Sequence, residues 1–268
     1  MKKYILLPLI LLTAFYVSAQ DSVYHYASSR PGFYEGFLLV PKGKAQIEIG
    51  ASYKNYLNLH EIQHPQFFLK YGISQYFELR VHGDATTYKF SDSTASGLHP
   101  VYIGMKIKMI DAKRYAPGSS FIGGLSVNVI STKNFKTKYV APYFKICMEQ
   151  FLPKNFGLAY NYGLEWNGED AKPTYLFALA SSWTTMVKKT GNSHQQMKLF
   201  LEVIGIYPHG KRFDGRVNTG FAYLFNKWLQ FDASVGAGFI KQSPRFITSM
   251  GLSMRFPTKD KKKAAGSE

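Results

Sequence analysis

Between Tyr76 and Asp84 every second side chain is charged or titratable. Glu78, Arg80, His82 and Asp84 alternate with Phe77, Leu79, Val81 and Gly83. Residues two apart on a strand share a face, so this spacing gathers two acids, a guanidinium and an imidazole on one side of a sheet. Lys106 and Lys108 repeat the spacing one strand later. Enclosed charges must pair or keep water, because burying them singly is costly. The row is therefore either a salt-bridged lattice or the charged lining of a solute path. Glu48, Lys145, Glu149, Glu165, Lys198, Glu202, Arg216, Asp232 and Arg255 fall on the same face of their own runs. Their mixed signs fit pairing better than a one-sign filter.

Catalytic chemistry has weaker support. His82 faces inward on this register with no lipase-like serine beside it, and Ser193-His194 falls at a turn. A serine nucleophile needs a base within hydrogen-bond reach, and no such pair is legible. His60 and His64 are four apart, but outside a helix that spacing does not make a metal pair. No catalytic residue, metal site or cofactor is expected. Cys147 lies inward between Lys145 and Glu149 and reads as a small residue filling interior space; a lysine neighbour would otherwise make it reactive.

The elements that position these residues are about a dozen runs of alternating character between Lys44 and Phe256. They are Lys44–Lys54, Pro65–Ile73, Tyr76–Thr87, Pro100–Ile110, Ser119–Ser131, Tyr139–Phe151, Asn155–Trp166, Pro173–Val187, His194–Tyr207, Gly215–Phe225, Trp228–Ile240 and Arg245–Phe256. Ser74-Gln75, Leu152-Pro153-Lys154 and Asn226-Lys227 are short turns, whereas Ser91–His99, Thr132–Lys138, Asn167–Lys172 and Pro208–Asp214 are longer, polar loops. Met1–Ala19 reads as a cleaved signal peptide: Lys2 and Lys3, a short apolar stretch, then Val17-Ser18-Ala19. Residues 20–43 do not alternate and are expected as a periplasmic segment against the barrel end. Residues 44–256 form the barrel, and 257–268 are a disordered basic tail.

The predicted fold is all-β, a transmembrane antiparallel up-and-down barrel of about twelve strands in a bacterial outer membrane, with both termini periplasmic. A secreted β-sandwich also alternates. Run length suits a tilted spanning strand, and an aromatic content of 16% suits membrane interfaces. The closing stretch Gly251–Phe256 ends in the aromatic residue that barrel-assembly machinery reads, here Phe256. The net charge of +16 suits anionic lipid; Lys133, Lys136 and Lys138 share one loop and are candidate contacts to lipopolysaccharide phosphates. Nucleic acid is not an expected partner, since no recognition motif appears.

Arg30-Pro31-Gly32-Phe33-Tyr34-Glu35 and Val40–Gly50 resemble the opening motif of an outer-membrane transporter family labelled for a MetA pathway of phenol degradation. Tyr71–Ser74, Phe77–Arg80, Gly104–Lys106, Asn218–Gly220, Gln230–Gly236 and Gly251–Phe256 match in order, while the centre, about 113–187, matches only as strand pattern. The resemblance implies an outer-membrane barrel passing small, polar or aromatic compounds, and supplies no catalytic residue. Passive transport is the expected function, with Glu78, Arg80, His82, Asp84, Lys106 and Lys108 lining the lumen. The alternatives are a non-conducting subunit of a larger outer-membrane complex and, third, a lipid-modifying enzyme.

Overall fold

The computed structural model describes residues 23–256 except 114–115, 191–192 and 211. The expected signal peptide and basic tail lie outside these residues. Thirteen strands follow in chain order: β1 Ala45–Asn55, β2 His60–Gly72, β3 Phe77–Lys89, β4 Thr94–Leu98, β5 Val101–Ile110, β6 Gly118–Val127, β7 Ala141–Leu152, β8 Phe156–Glu165, β9 Thr174–Thr190, β10 Ser193–Pro208, β11 Asp214–Asn226, β12 Leu229–Gly238 and β13 Phe246–Phe256. Successive strands pair antiparallel except that β5 pairs with β3 in place of β4, and β13 pairs with β1. The ring is thus a closed barrel of twelve strands, with β4 a short addition that extends β3 beyond β5. Among the described residues closure pairs every strand of the ring on both sides, and the short β4 keeps one free edge.

Two local differences from the alternating pattern have physical causes. β2 starts at His60, five residues before its apolar run, because the register shifts between Gln63 and Gln66. Pro65 sits in that shift, where a residue without an N–H interrupts no ladder bond. The loop expected at Ser91–His99 contains β4, whose backbone completes the upper half of β3.

The alternation sorts the wall into two chemistries. Ile49, Leu69, Leu79, Ile103, Leu125, Leu179, Leu201 and Val235 point outward and stay exposed. Glu48, Lys70, Glu78, Lys106, Glu202 and Asp232 point inward and are almost fully buried. An apolar belt of this extent is far beyond what a monomer in water tolerates. Exposed aromatics edge it at the end carrying the short turns: Tyr71, Tyr76, Phe156, Trp183, Trp228 and Phe256. At the end carrying the loops, Tyr139, Tyr207, Phe213, Phe239 and Phe246 do the same. Two aromatic girdles around an apolar band are the pattern of a wall facing lipid. Among the described residues no helix is long and apolar enough to cross a membrane.

Candidate functional site: a lumen divided by its own N-terminal segment

The described part of the segment expected outside the barrel, Val23–Gly43, runs inside it. Tyr24 enters at the turn end, exchanging two backbone bonds with the Gln196 amide, at 3.0 and 2.6 Å. Arg255 donates to the Tyr24 hydroxyl at 2.8 Å, and Gln46 Nε2 to the Ala27 carbonyl at 2.6 Å. The chain rises to mid-lumen at Ser29 and Arg30, crosses through Phe33 and Glu35, then descends to the turn end. There Gly43 N–H donates to the Gly72 carbonyl at 2.7 Å. Gly43 has φ of +72°, a conformation glycine adopts without penalty, and it turns the segment into β1.

A non-repetitive backbone enclosed by protein must find partners for its peptide groups. The wall side chains supply them. Glu202 accepts from Phe33 N–H at 2.9 Å and Tyr34 N–H at 2.9 Å. Glu48 accepts from Ser29 N–H at 3.2 Å, and Glu78 from Val40 N–H at 2.6 Å. Asn161 pairs with both backbone groups of Glu35, at 2.7 and 2.9 Å. Lys106 donates to the Gly36 and Leu38 carbonyls at 2.6 and 3.0 Å. The inward charges therefore act as receptors for the segment.

Two ion clusters tie the segment at mid-lumen. Arg80 reaches Glu35 at 2.7 Å and Glu78 at 2.7 Å, with Lys106 and Lys145 at 3.9 and 4.0 Å from the Glu35 carboxylate. Toward β12, β13 and β2, Arg30 binds Asp232 at 3.3 Å, Gln66 at 3.0 Å and the Met250 carbonyl at 2.7 Å. Arg30 lies flat against Gly50 and Gly251, which pair across β1 and β13, and a Cβ at either would strike its guanidinium.

The six residues proposed from sequence to line the lumen fall into distinct settings. Glu78, Arg80 and Lys106 hold the segment, as above. His82 stacks on Phe68 with ring centroids 4.0 Å apart. Asp84 accepts from Thr86 at 2.6 Å, and Lys108 pairs with Asp111 at 2.7 Å near the turn end. Cys147 is completely buried. Lys133, Lys136 and Lys138 are exposed on the loop whose Phe135 tucks beneath, edge-on to His99 at 4.8 Å. Phe256 ends β13 opposite Ala45. Arg30, Glu35, Lys70, Asn161 and Gln196 take part in this network, and alternation did not single them out. Of these, Lys70 carried a legible signal, since it lies on the inward parity of β2 and binds Glu48 at 2.6 Å.

Among the described residues the segment borders a space on each side. On the turn side a chamber of about 80 Å³ lies against Tyr24–Ser28, Phe151 and Lys198. On the loop side a vestibule of about 480 Å³ has Ser29–Phe33 and Glu35 as its floor. Its walls include Phe68, His82, Tyr102, Tyr143, Lys145 and Trp166.

The family model described as "Putative MetA-pathway of phenol degradation" matches residues 28–256, from the middle of the luminal segment to the end of β13. The chain belongs to that family. The phenol-degradation match thus takes in both the barrel and the part of the segment that crosses it. Among solved structures, an outer membrane channel from Pseudomonas putida F1 is similar in fold, at TM-score 0.60 and 9% identity over 82% of this chain and 98% of that one. The NanC porin matches at TM-score 0.46 and 7% identity, covering 79% and 100%. The β domain of the Bordetella autotransporter BrkA matches at 0.49 and 11%, covering 79% and 98%. No curated protein sequence matches the chain.

Proposed function

We propose that this chain is an outer-membrane barrel that passes small polar or aromatic solutes passively, with residues 23–43 as the barrier that must yield. The observation that carries this reading is the vestibule of about 480 Å³, whose floor includes Ser29–Phe33 and Glu35 of the segment. A floor held by hydrogen bonds and ion pairs can be withdrawn while the wall ladder stays whole. Short turns at one end and longer loops at the other support turns in the periplasm and loops outside, with both termini periplasmic. Phe256, closing the last strand, suits recognition by the assembly machinery. The likeness to a bacterial outer-membrane channel supports non-enzymatic transport.

The many anchors of the segment favour one other reading, a permanently closed accessory subunit of a larger complex. Purified chain in planar bilayers separates the two. The transport reading expects brief discrete current steps; flat traces together with co-purification of a large partner would replace it with the accessory reading.

Lys133, Lys136 and Lys138 are proposed to meet lipopolysaccharide phosphates. Changing all three to glutamine is expected to weaken binding to lipopolysaccharide micelles about tenfold or more, less so in high salt. Unchanged binding would remove these lysines from the contact.

A further inference from the structure

On β8, Gly157, Ala159, Asn161 and Gly163 point inward and are buried, whereas Glu165, next on that parity, is exposed and lines the vestibule. An exposed side chain on the inner face of a barrel opens onto luminal space. Among the described residues the Glu165 carboxylate has no ion-pair or hydrogen-bond partner. The register sets Tyr143 of β7 directly across from Glu165 on one side and Thr174 of β9 on the other. Leu176 and Ile206, opposite each other on β9 and β10, complete this part of the vestibule wall. The carboxylate therefore stands beside uncharged neighbours.

The cations of the vestibule are directed elsewhere. Arg30 is paired with Asp232, Lys54 with Glu61, Arg80 with Glu35 and Glu78, and Arg216 with Asp214. Lys145, on the strand next to Glu165, turns to Glu35 and to the Phe33 carbonyl, 4.0 and 3.4 Å away. Lys145 and Lys54 are the cations whose charge reaches Glu165, and neither pairs with it. A carboxylate left open to the lumen attracts a cation. One carboxylate offers too few oxygens to replace the six or more that a calcium ion takes. An ammonium on an apolar body needs one acceptor of this kind and a surface for the body.

Resting on the transport reading above, we propose that the vestibule binds a small organic ammonium ion with a ring-sized apolar body, its N–H groups donating to the Glu165 carboxylate. The half-buried side chains of Phe33, Phe68, Tyr143 and Ile206 line the same space and offer the apolar surface for the body. The volume of about 480 Å³ falls within the roughly 300–1,000 Å³ of small-molecule sites. Glu165 closes β8 at the loop end, and Phe33 belongs to the floor, so a solute held between them adjoins the segment that must move.

Three small molecules sharing one ring test this: benzylammonium, benzyl alcohol and benzoate. Binding to the intact chain in detergent is read by calorimetry. Benzylammonium is expected to bind at least about tenfold tighter than either of the others, the worth of one hydrogen bond to a charged group. Added salt should weaken benzylammonium and leave benzyl alcohol unchanged. Glu165→Gln keeps the shape of the side chain and is expected to cost benzylammonium about tenfold while sparing benzyl alcohol. Its unfolding temperature should not fall, because the lost charge had no partner. Glu165→Lys serves as the second variant and should reverse the order, so that benzoate binds tighter than benzylammonium. Benzyl alcohol binding as tightly as benzylammonium, no binding of benzylammonium, or an undiminished preference in Glu165→Gln would each overturn the proposal. Calorimetry in detergent does not depend on current, so failure of this site and failure of the transport reading are distinguishable.

Discussion

Glu35→Ala is expected to open the lumen while leaving the wall folded. The carboxylate lies within ion-pair distance of Arg80, Lys106 and Lys145 and also accepts from Ser29 Oγ at 3.0 Å. Its loss leaves three cations crowded around an apolar methyl, with Arg80 alone retaining an acid, Glu78. Removing one partner from buried charges costs on the order of 3 kcal/mol or more. That penalty is carried by the closed arrangement only, because withdrawal of the segment admits water to the cations. A change of about 3 kcal/mol moves a two-state ratio by roughly 100-fold, so the open fraction in bilayers should rise about that much. The wall ladder does not involve Glu35, and the denaturation midpoint of the barrel should hardly move. Adding Lys145→Ala should restore part of the closure by lowering the stranded charge. Open fraction and midpoint are read on the same preparations, and an unchanged open fraction in Glu35→Ala would show that this cluster does not hold the barrier.

The second large effect is expected from fastening the segment to the wall. Ser28 and Ser253 present their hydroxyl oxygens to each other at 3.3 Å, one on the segment and one on β13. Cysteines at both positions need only a small approach to bond, given that bridged Cβ atoms lie about 3.5–4.5 Å apart. Cys147, the one native cysteine, is buried and can be changed to alanine so that only the new pair reacts. A covalent tie at Ser28 fixes the segment near the point where it turns toward Arg30. Current steps should vanish in the oxidised protein, while either single cysteine variant should conduct like the parent.

The barrel was legible because its wall obeys one local rule over nearly every strand. The run Phe77–Asp84 states that rule without interruption, and β3 follows it. Where the rule breaks, a local residue breaks it, as Pro65 does at the register shift in β2. The luminal segment obeys no period, so nothing nearby in sequence reveals where it goes. Its backbone is satisfied by side chains far along the chain: Glu202 serves Phe33 from 169 positions away and Asn161 serves Glu35 from 126. Pairings of that kind exist only once the barrel has closed. Lys70 was hidden by its neighbours, because Phe67-Phe68-Leu69 and Tyr71 make the stretch read as apolar. Asn161, between two tyrosines, was hidden in the same way. The inward charges of β3 and β5 were visible, but their role was not. Mixed signs said that they would pair, and the structure shows that they pair with the segment as much as with one another.

The central claim is that residues 23–43 are the element that closes this lumen. It is tested most directly by recording the Ser28→Cys, Ser253→Cys, Cys147→Ala protein in one bilayer before and after adding a thiol reductant. The expected result is silence while the disulfide is intact, then discrete steps at the frequency of the single variants once it is reduced. Steps that persist unchanged in the oxidised protein would contradict the claim and place the barrier elsewhere.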